Sequence, residues 1–175
     1  MKSDTIAAIA TALSDAGIGI IRISGPEAIA VANRVVVNKK KEHTLKNWQT
    51  HTIHYGFVEE NGTILDEVMV SVMKAPRSYT TEDTVEINCH GGVLLTKRVL
   101  EAVLHAGARM AEPGEFTKRA FLSGRIDLSE AEAVMDLIQA KNQFSMQASI
   151  KQLRGSVAEK VKSLRAALLY EIAFI

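Results

Sequence analysis

The sequence is short of several residue types, and each shortage excludes a class of protein. A single cysteine, Cys89, rules out an intrachain disulfide framework and fits a reducing compartment, so a cytoplasmic protein is expected. The 21 lysines and arginines almost balance the 20 acidic residues, whereas a chain that binds nucleic acid over its whole surface carries a large basic excess. Five Phe, three Tyr and one Trp are too few to fill the core, which must therefore be aliphatic.

Long apolar runs and phosphate-binding motifs are missing as well. Polar residues interrupt the segment between Asp4 and Asp15, so neither a secretory signal nor a membrane-spanning helix is predicted. No Gly-x4-Gly-Lys-Ser/Thr motif occurs in these residues, which excludes a P-loop among them. Gly17-Ile18-Gly19 lacks the third glycine of a dinucleotide-binding fingerprint and precedes a strand, so we interpret it as the start of a buried strand.

The histidines and the cysteine are weak candidates for chemistry. His51 and His54 lie three residues apart on a predicted strand, hence on opposite faces, so no metal site is predicted. Cys89 and His90 could form a thiolate pair, but neighbours on a strand point apart, which favours a buried cysteine. The basic run at 39–41 is interpreted as a solvated loop. No catalytic residue is assigned in this chain.

Residues 1–118 show the pattern of an α+β domain. Apolar types make up 47% and charged types 23% of the chain, a composition that supports a globular core. Alternating apolar residues flank Asn61-Gly62, a dipeptide typical of a hairpin turn because it tolerates positive φ. The predicted strands cover 18–23, 52–57, 68–72 and 84–88, and the predicted helices cover 26–36 and 93–107.

Residues 119–175 read as helix only, and we interpret them as the incomplete start of a helical domain. Asp127 followed by Glu130 has the spacing of a capping box. Apolar residues recur every three or four positions from Met146 to Ile172, which predicts one helix of about 30 residues. Such a stripe needs a partner, either later helices or another subunit. Because the chain stops inside an apolar run, we expect it to be the front part of a longer protein.

Two charges stand inside apolar strands, Arg22 in the first strand and Glu86 in the last. Such a charge lies on a half-exposed face or is held for a ligand, and both alternatives are open at this point. Glu86 is followed by His-Gly-Gly and a helix start, a plausible mouth for a small-molecule site. Further basic residues could meet an anion or be solvated: Lys97, Arg98, Arg109, Lys118, Arg119 and Arg125.

Four segments carry a family resemblance. They are GIGIIRISG (17–25), YTTEDTVEINCHGG (79–92), EPGEFTKRAFLSGRIDLSEAEAVMDLI (112–138) and LRG (153–155). In this order they resemble the front of the MnmE (TrmE) family of bacterial and organellar tRNA-modification GTPases. The block from PGEF to AEA is the most specific part of the match.

The resemblance implies an architecture and a reaction. Family members have an α+β domain of the tetrahydrofolate-binding type with a mixed sheet, then a helical domain into which a GTPase domain is inserted. The first domain binds 5-formyl- or 5,10-methylene-tetrahydrofolate and forms a homodimer. With the flavoprotein MnmG (GidA), the protein adds an aminomethyl or carboxymethylaminomethyl group to C5 of the wobble uridine of tRNA. GTP, K+ and Mg2+ belong to the GTPase domain, which this sequence lacks, so the fragment is expected to be inactive alone.

Three residues match the folate-binding positions of the family. Arg22 falls on the arginine of the GIxRISG motif, Glu86 on the glutamate before HGG, and Arg125 on a position that usually holds lysine. Arginine keeps the charge of that lysine but is a planar fork rather than a point charge. The resemblance implies that Glu86 accepts hydrogen bonds from the pterin and that Arg22 or Arg125 meets the anionic glutamate tail. In the alternative, the domain mainly dimerises and docks MnmG and tRNA, with folate binding weakened by Arg125.

Overall fold

A computed structural model describes residues 4–173 of the chain. It divides into two compact units, the first ending at Phe116 and the second beginning at Thr117. The strands are β1 Ile6–Ile9, β2 Ala16–Ser24, β3 Val36–Val37, β4 Thr52–Glu60, β5 Thr63–Met73, β6 Thr84–Gly91 and β7 Arg109–Met110. The helices are α1 Ala28–Val35, α2 Val93–His105, α3 Glu115–Leu122, α4 Leu128–Gln139, α5 Gln143–Leu153 and α6 Ser156–Ile172, with a 3-10 turn at Leu45–Asn47.

The first unit is built on one mixed sheet in the order β3-β4-β5-β6-β2-β1-β7. All neighbouring strands are antiparallel except β1 and β7, which are parallel. Strands and helices thus combine in one unit and helices follow in the next, so the predicted α+β class with a mixed sheet is confirmed.

The core lies on one face of this sheet, between the strands and helices α1 and α2. Alternation sends Ile21 and Ile23 of β2, and Val85 and Ile87 of β6, into this core, where each is fully buried. Among the described residues, the buried hydrophobic ones are Ala, Val, Ile, Leu and one Cys, so the predicted aliphatic core is confirmed.

Two glycines show how closely the backbone is packed. Gly25, between β2 and α1, has φ +138 and would place a Cβ 2.7 Å from the Thr5 Cα, so it gives β1 room beside the turn. The predicted hairpin between β4 and β5 is confirmed, with Asn61 at φ 51 and Gly62 at φ 81.

Several element boundaries differ from the predicted ones. Helix α1 begins at Ala28 instead of 26, and Val36 belongs to β3. Strand β6 runs on to Gly91 because β2 continues to pair with it. The short strands β1 and β7 were not predicted.

The predicted single helix over 146–172 is wrong. Gly155 adopts φ +79, a left-handed conformation that a continuing helix cannot contain, and it separates α5 from α6. The predicted capping box is confirmed: Asp127 Oδ1 accepts from the Glu130 amide at 2.8 Å, and Glu130 Oε2 accepts from the Asp127 amide at 2.8 Å. No helix within residues 4–173 combines the length and the apolar character needed to cross a membrane.

Cys89 lies as the sequence indicated, whereas His51 lies in the turn before β4, at φ 61, and only His54 is on the strand. The Cys89 side chain is buried and donates to the Gly19 carbonyl at 3.3 Å, while His90 is exposed on the other face. Burial raises the pKa of the Cys89 thiol, which disfavours the reactive thiolate. In the described part of the chain, no three His, Cys, Asp or Glu side chains come together in a way that could hold a metal ion.

Candidate functional site

Arg22 and Glu86 meet on the face of the sheet opposite the helices. They occupy paired positions on β2 and β6, and the Arg22 Nε donates to Glu86 Oε1 at 2.7 Å. Their side chains are 31% and 22% exposed, so the pair is half-buried and open to solvent. The same alternation that buries their apolar neighbours turns both charges onto this face.

Small residues flank the pair along the same row of the sheet. Ala8 of β1 lies opposite Arg22, and Ser71 of β5 lies opposite Glu86. Neither side chain is long enough to cover the ion pair. The row therefore presents a partly exposed charged centre between two small side chains.

Phe116 provides one wall beside the pair. The Arg22 guanidinium carbon lies 5.6 Å from the centre of the Phe116 ring, within cation–π distance. Phe116 stands in the first turn of α3, directly after the buried Glu115. Helix α3 therefore holds an aromatic ring against the candidate arginine.

An ion-pair network fixes the start of α3. The Arg109 Nη2 donates to Glu115 Oε1 at 2.7 Å, and its Nε donates to Asp4 Oδ2 at 2.7 Å. The Glu112 amide donates to Glu115 Oε2 at 2.7 Å. Hydrogen bonds to Asp4 and then Glu115 raise the pKa of Arg109, so this guanidinium stays charged.

The Arg22–Glu86 pair keeps unused hydrogen-bonding capacity. Within residues 4–173, the only hydrogen bond of either side chain is the one that they share. Glu86 Oε2 is therefore an open acceptor beside the open Nη donors of Arg22. This arrangement is complementary to a flat heterocycle whose edge presents an N–H donor next to a carbonyl acceptor.

Arg125, the third predicted residue, belongs to the second unit. It is exposed in the turn between α3 and α4, where its amide donates to the Ala120 carbonyl at 3.0 Å. Gly124, with φ +76, allows the chain to turn there. The structure thus joins Arg22 to Glu86 within the first unit and places Arg125 in the other unit.

Two models of known protein families match this chain. The family model described as "GTP-binding protein TrmE N-terminus" matches residues 5–125, more than half of the chain. The chain belongs to the TrmE family. A second model, the MnmE helical domain, matches residues 128–175.

Named relatives of this TrmE-family chain agree with both matches. A protein of Lachnoclostridium phytofermentans is 58% identical over 175 residues, which is 100% of this chain and 38% of that protein. A Listeria welshimeri protein is 53% identical over 173 residues (99% and 37%), and a Streptococcus thermophilus protein is 54% identical over 170 residues (97% and 36%). Each is named a tRNA modification GTPase MnmE. The chain spans a little over a third of the length of these relatives.

Sequence reasoning about this TrmE-family chain missed Phe116 and the Arg109–Glu115 pair. Phe116 reads as an ordinary apolar position of a short amphipathic helix, and nothing local shows that its ring meets Arg22, 94 positions earlier. Glu115 could have been noticed as an acidic residue in the first turn of a helix. Its contact with Arg109 depends on β7, a two-residue strand without a sequence pattern.

Proposed function

We propose that residues 1–118 form a folate-binding and dimerising module and that residues 119–175 begin the helical domain of a tRNA modification GTPase. The observation that carries the folate proposal is the half-buried Arg22–Glu86 pair with its open acceptor and donors. The names of the relatives support action on tRNA and hydrolysis of GTP by the whole protein.

The residues present fit the pterin of a tetrahydrofolate. A pterin carries a 2-amino group, N3–H and a C4 carbonyl along one edge. The Glu86 carboxylate would accept from the two donors, and an Nη of Arg22 would donate to the carbonyl oxygen. The bound folate, as the 5-formyl or 5,10-methylene derivative, would supply the one-carbon unit.

This assignment concerns which part of the folate Arg22 and Arg125 would each contact. Because Arg22 is tied to Glu86, it shares the pterin end of the ligand with that carboxylate. The anionic glutamate tail also needs a cation, and by family resemblance Arg22 or Arg125 would supply it. The arginine fork can bind a carboxylate through two parallel hydrogen bonds, which a lysine cannot do.

The remaining parts of the proposed function rest on family membership. The module would dimerise with a second copy and work with the flavoprotein MnmG to modify C5 of the wobble uridine in the cytoplasm. GTP, K+ and Mg2+ would act in a GTPase domain outside these residues. Because the sequence contains no P-loop, the 175-residue chain alone should not hydrolyse GTP.

Calorimetry with 5-formyltetrahydrofolate tests the folate assignment. We expect one ligand per chain, with affinity reduced about 30-fold in Glu86→Gln and further in Glu86→Ala, since a hydrogen bond to a charged group contributes about 2 kcal/mol. Glu101→Gln, on the exposed side of α2, removes the same charge in the same unit and should bind like the wild type.

Circular dichroism of each variant establishes that it is folded. Unchanged affinity in folded Glu86→Ala would contradict the role of Glu86. The absence of any binding by the wild type would favour the purely structural alternative.

A further inference from the structure

A tight basic turn lies at the edge of the sheet, directly after β3. The Asn38 amide donates to the Glu42 carbonyl at 3.0 Å, and Asn38 Oδ1 accepts from the amides of Lys40 and Glu42. Lys39, Lys40 and Lys41 project from this turn, and all three are exposed. The lysines are therefore carried by a hydrogen-bonded turn within the predicted solvated loop.

The turn reaches over an exposed aromatic residue of β4. The Lys39 Nζ lies 5.2 Å from the centre of the Tyr55 ring. Tyr55 is 40% exposed and points to the same face of the sheet as Arg22 and Glu86, opposite the helices. The exposed part of this ring lies beside a cluster of positive charge, and the Phe57 ring packs against it edge-on, with 5.4 Å between the ring centres.

A cleft of about 260 Å3 opens next to this ring. Its apolar lining includes Ile18 and Met69, and its polar lining includes Glu67, Asn88 and His90. A hydrogen bond with Glu67 raises the pKa of Tyr55, so the phenol keeps its proton. The cleft combines a flat ring, apolar walls and a few hydrogen-bonding groups, which are the features that receive an unstacked nucleobase.

The charge of this region differs from that of the whole chain. Between residues 38 and 54 there are four lysines, one glutamate and three of the five histidines, in a chain whose net charge is only +1. The neighbouring acidic groups are engaged: Glu42 with Asn38, Asp66 with His90, and Glu67 with Tyr55. Within residues 4–173, Lys39, Lys40 and Lys41 form no ion pair, so their charges are available to an external polyanion.

We propose that this face, from Lys39–Lys41 across Tyr55 to the cleft, binds a single-stranded segment of RNA. The lysines contact phosphates, and Tyr55 stacks on a base that enters the cleft. The inference rests on the proposed function and names the surface through which the chain meets its RNA. Strand β4 lies two strand spacings, about 10 Å, from β6, and Tyr55 is in register through Met69 with Asn88, two residues from Glu86, so the RNA is held near the folate site.

A second copy of the chain fits this surface less well. An interface between two copies through this face would contain the lysine turns of both, and like charges within one interface weaken it. RNA brings the opposite charge to the lysines and a planar base to the tyrosine. Charge complementarity therefore favours the nucleic acid.

Fluorescence anisotropy with a labelled RNA stem-loop, whose single-stranded loop contains uridines, tests the surface in the 175-residue chain. The triple variant Lys39→Glu/Lys40→Glu/Lys41→Glu should lower affinity by about tenfold or more and reduce the log–log salt slope by about 2. The matched control Lys151→Glu/Lys160→Glu/Lys162→Glu changes net charge equally and should leave both values near wild type. Tyr55→Ala should lower affinity about tenfold without changing the salt slope, and Tyr55→Phe should restore it.

Folate calorimetry and sedimentation velocity on the same variants separate the possible failures. If RNA binding responds to the variants as expected but no folate binds, the proposed folate function is contradicted and the RNA-binding surface is still supported. Folate binding without RNA binding would contradict the proposed RNA-binding surface. Equal effects of the two triple lysine variants would contradict it as well. A Tyr55→Ala variant that turns a dimer into monomers would show an interface between copies and would also overturn it.

Discussion

Arg22 and Glu86 form an ion pair across two neighbouring antiparallel strands, with 2.7 Å between Nε and Oε1. The pair orders both side chains before any ligand arrives, so binding does not have to immobilise two long, flexible groups. It also balances their charges on a half-buried face, where a lone carboxylate would be costly. The pairing thus stabilises the fold and holds Glu86 Oε2 next to the Nη donors of Arg22.

Phe116 should affect folate binding through Arg22. Removing the ring in Phe116→Ala takes away the surface against which the guanidinium lies, so we expect 5-formyltetrahydrofolate affinity to fall about threefold to tenfold. Phe116→Tyr keeps the aromatic face and should bind like the wild type. Calorimetry measures these affinities.

Phe116→Leu distinguishes the aromatic contact from simple packing. Leucine fills similar space without the electron-rich face, so it should behave like alanine in folate affinity and like wild type in thermal stability. Wild-type affinity in Phe116→Leu would show that the ring acts only as a space filler.

Gly19 and Gly17 should respond differently to the same added methyl group. A Cβ at Gly19 would lie 2.6 Å from Thr96 Oγ1, whereas a Cβ at Gly17 would meet nothing within 4 Å. We expect Gly19→Ala to lower the free energy of unfolding by about 1–3 kcal/mol, because Thr96 is buried and has little room to move. Urea denaturation measures this value, and Gly17→Ala is the matched control. Equal stability of the two variants would show that α2 and β2 move apart easily enough to admit the methyl group.

Local signals in the sequence predicted the elements whose determinants are local. Asn61-Gly62 was sufficient for the hairpin, and Asp127 with Glu130 was sufficient for the start of α4, because turn and cap chemistry act within a few residues. The strand pattern also identified Arg22 and Glu86 as charged residues within apolar strands. Their ion pair was not predicted, since 64 positions separate them and register depends on the whole sheet.

The break at Gly155 shows why a long apolar period was misleading. The apolar spacing continues through the break, so periodicity alone predicts one helix. A single glycine is compatible with a helix interior or with its end, and only its φ of +79 decides between them.

Gly155→Ala tests this left-handed position. A Cβ is disfavoured there, so we expect the free energy of unfolding to fall by about 1–2 kcal/mol, with a smaller loss in Gly155→Asn because asparagine tolerates positive φ. Chemical denaturation followed by helical circular dichroism measures both variants. A gain in helical signal without loss of stability would show that α5 and α6 can join into one helix.

Asp127 should make the stability of the second unit depend on pH. Hydrogen bonds from the Glu130 amide and then from the Ser129 hydroxyl lower the pKa of the Asp127 carboxyl below its ordinary 3.8. The unfolded chain therefore binds the proton more readily than the folded chain does. The carboxylate stabilises the fold above its unfolded pKa, and this contribution is lost as pH falls through the lower folded value.

Asp127→Asn isolates this titration, since asparagine caps a helix about as well as aspartate but carries no charge. Urea denaturation at pH 7, 5, 4 and 3, with wild type and variant in parallel, measures the difference in unfolding free energy. We expect the advantage of the wild type to be constant from pH 7 to 5 and to shrink below pH 4. A difference that stays constant down to pH 3 would contradict a lowered pKa, because the charged cap would then contribute nothing beyond its hydrogen bond.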